Sequence, residues 1–252
     1  MSARPEPSSP RVPAPRAATA LRTRVLEPGD PALDRLGTIL AERFPDGERD
    51  DWGTQLERHR AGKLVIAAAE NLAPDLLGAL PQQPGSGPRP PRQRRPAAPV
   101  GVAVVALLPR TRSAALLYLA SSSNAPANGV GLSLMAHLRV HLGGIGVSRG
   151  FLGEIERVEE ARDAADAVVR RRRLRYYLRF GAEMVADLPS YGMPDMTSGD
   201  LLPLHLVWLP AGTATTDVRG DLLEDLVTEL YEVAYDRPAD DPLLARVLRS
   251  RV

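Results

Sequence analysis

Three apolar runs of strand length precede the first long crossover helix, and that order limits the folds open to the chain. The runs are LVIAAA (64–69), VGVAVVALL (100–108) and ALLYLA (115–120). The helix is GLSLMAHLRVHLG (131–143), whose Leu134, Met135, Leu138 and Leu142 share one stripe at helical spacing before Gly143 and Gly144 stop it. A doubly wound nucleotide fold alternates single strands with helices from its start. Three strands ahead of the first crossover helix are incompatible with that pattern.

The remaining segments fill in the order. LRTRVL (21–26) has the length of a short strand. Leu33, Leu36, Ile39 and Leu40 predict a helix over 31–44 with Asp30 as its cap, and 50–59 a second short one. Residues 64–69 and 100–108 are expected to pair as a hairpin with an enlarged loop. Strands follow at 151–155, from Met184 and Val185, and at 205–209 (HLVWL), with a long charged helix over 159–180 between the first two. Leu222, Leu223, Leu226, Leu230 and Val233 mark an amphipathic helix over 221–235, expected to pack on its own sheet or to serve a homodimer. The whole reads as one α/β (α+β) domain with a mixed sheet.

Composition sets the flanks and removes several chemistries. Residues 1–20 are Pro, Ala, Ser and Arg with little to bury, and predict a disordered tail. A Pro/Arg-rich insertion at about 81–99 carries Arg92, Arg94 and Arg95, read as a solvated charge run. The main domain is expected over 21–210, with a C-terminal helical extension over 211–252. Net charge is +1 over 252 residues, so no global field draws the chain onto nucleic acid or a membrane. Lys63 is the only lysine, and the arginine runs lack the interleaved aromatic residues of a single-strand binder. There is no cysteine, which excludes disulfides, thiolate metal sites and a cysteine nucleophile. His137 and His141 have metal-ligand spacing on one helix, but no carboxylate supports them, and no metal is expected. Residues 1–20 lack the apolar block of a secretory signal, so a cytoplasmic location is expected.

The segment LLYLASSSNAPANGVGLSLMAHL (116–138) carries the chemistry. A strand runs into a turn holding Gly129 and Gly131, and a helix begins at once. The first helical turn offers unpaired backbone N–H groups and a partial positive charge, which together suit a phosphate. No lysine is near, so it is not a Walker loop, and the third glycine of a dinucleotide fingerprint is missing. A tight strand–helix connection that binds nothing is the alternative reading.

Strand, turn, Gly-x-Gly, helix, strand, helix and then Tyr-x-x-x-Gly resembles the GNAT (Gcn5-related N-acetyltransferase) superfamily. Its coenzyme A motif, Gln/Arg-x-x-Gly-x-Gly/Ala, falls on Pro126 to Gly131: both glycines match and Pro126 replaces the Gln or Arg. Tyr177 and Gly181 occupy the family's Tyr-x-x-x-Gly positions. Arg170 stands where members often carry Asn. The resemblance covers roughly 21–209 and implies a mixed, mostly antiparallel central sheet flanked by helices, with a C-terminal helix.

It also implies a function: direct transfer from acetyl-CoA to a small amine such as an amino sugar, an amino acid derivative or a secondary metabolite. A protein or peptide amine, or a non-catalytic acyl-CoA-binding module, are the other readings, and Pro126 and Arg170 favour the last. By the same resemblance Ala120, Ser121 and Ser123 line the pantetheine arm. The amides of Asn128, Gly129, Val130, Gly131 and Leu132 face the pyrophosphate. Tyr177 is the expected acid for the departing thiolate. In GEIER, alternation puts Glu154 and Glu156 on one face. They are expected to raise each other's pKa and to serve as base or ammonium site. His205 is a lesser candidate base. One arginine of 170–173 is a candidate for the 3′-phosphate. The acids Asp46, Glu48, Asp50 and Asp51 either favour a cationic acceptor or cap a helix.

Overall fold

The computed structural model describes residues 21–44, 49–72, 98–123, 125, 129–195, 198–212 and 218–251. The tail (1–20), most of the insertion (81–99), Asp46, Glu48, Pro126 and Asn128 lie outside the described residues.

The elements run β1 (Leu21–Val25), α1 (Ala32–Arg43), α2 (Trp52–Arg60), β2 (Leu64–Asn71), β3 (Pro99–Leu108), β4 (Ser113–Ser121), α3 (Val130–Gly144) and β5 (Gly150–Glu156). A single 3-10 turn (Val158–Glu160) leads to α4 (Ala164–Arg179), β6 (Glu183–Met184), β7 (Gly192–Pro194), β8 (Leu201–Pro210), α5 (Gly220–Ala234) and α6 (Pro242–Leu248). The strands form one sheet ordered β1-β2-β3-β4-β5-β8-β6, with β7 also on β8. Every pairing is antiparallel except β4 with β5. The mixed, mostly antiparallel sheet flanked by helices is the architecture the resemblance implied.

β2 and β3 read as unbroken apolar runs because helices cover both faces of the sheet. On one face Leu33, Leu36, Ile39 and Leu40 of α1, Leu223, Leu226 and Leu230 of α5, and Leu244 and Val247 of α6 bury Ile66, Val102, Val104 and Leu152. On the other, Val130, Leu134, Leu138 and Leu142 of α3 bury Val65, Val105, Phe151 and Ile155. α5 is locked in place by Glu229. Its carboxylate accepts from the amides of Arg110 (2.7 Å) and Thr111 (2.9 Å) and from the Thr111 hydroxyl (2.7 Å), at the β3–β4 turn.

Three elements depart from the sequence expectation. The charged helix starts at Ala164 rather than 159, because Asp163 caps it by accepting from Asp166 N (2.8 Å). β7 is only three residues long and has no periodicity to read. α6 went unpredicted although its start is marked in the sequence: Asp241 accepts from Leu243 N and Leu244 N, and Pro242 follows it. Among the described residues, no helix is long and apolar enough to cross a membrane.

Candidate active site

β4 and β5 pair in parallel over only three residues, Ala114 with Phe151, Ala115 with Leu152 and Leu116 with Gly153. A bulge then interrupts the β3–β4 ladder: Val104 faces Tyr118 and Val105 faces Leu116, leaving Leu117 unmatched. The phase of β4 slips there, so that Leu117 and Tyr118 both pack toward the α1–α5 face. A bulge bends its strand and adds local twist. β4 thus leaves β5 at Leu117, and from there to Ser121 its edge toward β5 has no strand partner. Into that gap opens a cleft of about 500 Å³, lined among others by Tyr118, Ala120, Ser121, Glu154, Glu156 and Tyr177.

Glu154 closes the floor of the cleft. Its two carboxylate oxygens accept hydrogen bonds from different phenols, Oε1 from Tyr191 ahead of β7 and Oε2 from Tyr235 at the end of α5. Burial raises its pKa above the ordinary carboxylate range, and the two phenol donors pull in the opposite direction. The phenols respond in kind: burial, reinforced by the Glu154 charge, pushes both Tyr191 and Tyr235 well above the ordinary tyrosine value. Tyr118 of β4 is pushed up by burial as well, and its hydroxyl accepts from Asp50 N (3.2 Å). No guanidinium or imidazole among the described residues pairs with Glu154. It is a carboxylate with neutral partners only.

Glu156 shares that face, as the alternation of GEIER requires, but its partner differs. It is ion-paired with Arg173 of α4. The expectation that the two glutamates raise each other's pKa is corrected here: Glu154 is raised by its own burial, and Glu156 is not among the causes.

Tyr177 lines the cleft wall from α4. Burial raises its pKa, with further upward contributions from Tyr176 and Glu156. It therefore keeps its proton at neutral pH. Arg170, where members of the resembled family often carry Asn, is tied to Asp166 (3.1 Å) and to the Arg157 carbonyl (2.9 Å) while lining the same cleft. Arg170 and Arg173 are half-buried, whereas Arg171 and Arg172 are exposed.

His205 lies outside the cleft lining, 3.6 Å from Glu159. His137 and His141 join no cluster of three or more metal-ligand side chains among the described residues. Asp50 and Asp51 have structural partners: Asp51 caps α2, and Asp50 binds Arg58 (2.6 Å) and Gln55 (2.9 Å).

At the far end of the β4 edge, α3 begins without any side-chain cap. Gly129 takes the left-handed conformation (φ 99°) that L side chains rarely adopt. Gly131 sits against α4: a Cβ there would lie 2.8 Å from the Tyr176 hydroxyl. That hydroxyl is buried and meets no hydrogen-bond partner among the described residues. The Val130 side chain belongs to the core and Leu132 points outward, so both face the helix terminus through their amides alone. Ala120 and Ser121 line the cleft, the Ser121 carbonyl accepting from Arg43 (2.7 Å). Ser123 is exposed in the turn beyond.

Comparison with solved structures matches this architecture. The structure of Arabidopsis thaliana NAA60 in complex with acetyl-CoA superposes with a TM-score of 0.50 at 16% identity, covering 76% of this chain and 98% of its own. An aminoglycoside 6′-N-acetyltransferase complexed with coenzyme A superposes with a TM-score of 0.52 at 13% identity, covering 77% and 99%. The chain has the GNAT fold. No family model and no curated protein sequence matches it. At these identities the likeness is one of fold.

Sequence reasoning reached Glu154, Glu156, Tyr177 and the glycine turn. It missed Tyr191, Tyr235 and Arg173 as partners in the site. Tyr235 ends a recognisable helix, but nothing in one sequence says which strand residue its hydroxyl meets. Arg173 lay inside an arginine run that resembled solvent-facing charge.

Proposed function

We propose that the chain is an acetyl-CoA-dependent N-acetyltransferase that passes the acetyl group directly to a small amine. The observation that carries the reading is the parallel β4–β5 pair that parts after three residues, with Glu154 and Tyr177 lining the gap. The structure has features that fit the cofactor: an uncapped helix N-terminus, a glycine closely packed by α4, and beside it a buried hydroxyl with no partner among the described residues. The amides of Gly129, Val130, Gly131 and Leu132, with Asn128, would hold the pyrophosphate. The β4 edge at Ala120 and Ser121, with Ser123 beyond, would hold the pantetheine arm.

When bound, acetyl-CoA supplies the thioester carbonyl that a neutral amine attacks and the thiolate that departs. Glu154 is the ammonium site. A buried carboxylate whose partners are neutral phenols carries an uncompensated charge, and a cationic amine compensates it. Its raised pKa brings it closer to neutrality, which suits a group that must take a proton from the ammonium. The two phenols hold one oxygen each and so fix the carboxylate in place at the cleft. Tyr177, protonated at neutral pH, gives a proton to the departing sulfur. Arg173 neutralises Glu156, which leaves Glu154 rather than the pair to meet the amine.

The test is coenzyme A release from acetyl-CoA with a panel of amines, read by thiol trapping. The protein has no cysteine of its own to react. Release that depends on an amine and is lost in Glu154→Gln supports the reading. Absence of release with every amine, together with no thermal stabilisation by acetyl-CoA, would reject it.

A further inference from the structure

A second cavity of about 480 Å³ lies beside the first, lined among others by Arg157, Glu160, Tyr191, Pro203, Arg246 and Arg249. Glu160 and Pro203 stand in both walls, so the cavities adjoin along that rim. Tyr191 divides them: its hydroxyl donates to Glu154 on the floor of the first, and the same residue lines the second.

The two sides of Tyr191 differ in charge. The first cleft sets three carboxylates, Glu154, Glu156 and Glu160, against three arginines, Arg43, Arg170 and Arg173. The other holds three guanidinium groups against the single carboxylate of Glu160. Arg157 is fixed by the carbonyls of Leu204 (3.1 Å), Pro189 (2.6 Å) and Tyr191 (3.0 Å), which set its position in the cavity wall. Its neighbours Arg246 and Arg249 have no hydrogen bond or ion pair from their side chains among the described residues. Elsewhere in the C-terminal segment the arginines are committed: Arg237 pairs with Asp241 (3.3 Å) and Arg251 with Glu224 (2.7 Å). The arginines left over are the two that border the cavity.

We infer that the acceptor carries an anionic group, a carboxylate or a phosphate monoester, at a distance from its amine, and that Arg246 and Arg249 bind it. The amine meets Glu154, the chain of the molecule crosses the rim at Pro203, and the anion reaches the guanidinium pair. Guanidinium groups suit both anions because their planar N–H forks match two oxygens at once. The inference rests on the proposed acetyl transfer and narrows its acceptor to molecules charged oppositely at their two ends.

The test compares three acceptor series matched in chain length: ω-amino carboxylates, their carboxamides and ω-aminoalkyl phosphates. The anionic series are expected to exceed the carboxamides in kcat/KM by about tenfold or more, the effect of one charge-assisted hydrogen bond. A larger gain with carboxylate or with phosphate identifies the source of the anion. In the Arg246→Ser/Arg249→Ser protein the ratio of anionic to carboxamide acceptor falls toward one. Arg251→Ser, which removes the same charge away from the cavity, keeps the ratio high. An equal rate for carboxamide and anion in the unaltered protein, or a ratio that survives loss of both arginines, overturns the inference. Either result leaves acetyl transfer intact, whereas failure of that reading shows as no coenzyme A release with any acceptor.

Discussion

Replacing Tyr235 by Phe isolates the contribution of one hydrogen bond to the base. The variant removes the hydroxyl that donates to Glu154 Oε2 and keeps the ring that packs edge-on against Tyr231, 5.5 Å between centroids. Tyr191 still holds Oε1. A hydrogen bond to a charged group is worth about 1.5–3 kcal/mol, roughly ten- to a hundredfold in an equilibrium. The lost bond favours only the ionised carboxylate, so its removal raises the pKa of Glu154 further. Below that pKa the ionised fraction, and with it kcat/KM, drops by about tenfold or more. Above it, where Glu154 is ionised in both proteins, the loss is much smaller. The acid limb of the pH profile therefore moves to higher pH while the alkaline plateau stays near that of the unaltered protein. Coenzyme A release measured across the pH range reads both regions. A loss of equal size at every pH, with the limb unmoved, would refute the role given to Tyr235 and to Glu154 as base.

The remaining predictions concern the acid, the packing at the glycine turn and stability. Tyr177→Phe lowers kcat by about a hundred- to ten-thousandfold, the range of general acid catalysis, and changes the acetyl-CoA Kd little; steady-state kinetics beside calorimetry separates the two. Gly131→Ala forces a methyl to within 2.8 Å of the Tyr176 hydroxyl and costs about 1–3 kcal/mol, most of it recovered in Gly131→Ala/Tyr176→Phe, as denaturant melts will show. Glu229→Ala leaves the Arg110 and Thr111 amides without their acceptor and destabilises by about 2–4 kcal/mol on the same measurement. Glu154 has a higher pKa folded than unfolded, so the folded state binds more protons between the two values. Stability accordingly falls as pH rises through that window, and Glu154→Gln flattens the fall; melting temperature against pH tests it.

The fold was legible where burial made the pattern simple. β2 and β3 are buried on both faces and so appear as unbroken apolar runs, and α1 and α5 each bury one stripe at helical spacing. β7 escaped because three residues carry no period, and the start of α4 was misplaced because acids and arginines continue on both sides of the Asp163 cap. At the site, alternation alone put Glu154 and Glu156 together. Their separate environments come from residues 37 and 81 positions away for Glu154, and 17 for Glu156. Local pattern holds no information at such separations. The bulge at Leu117 that opens the cleft was likewise hidden, because ALLYLA looks like an ordinary buried strand.

Binding of acetyl-CoA to the free protein, followed by isothermal calorimetry, reaches the central claim most directly. The account predicts saturable heat at one site per chain, abolished when Gly129→Glu puts a carboxylate at the start of α3. No heat with the unaltered protein, or undiminished heat with the variant, would contradict it.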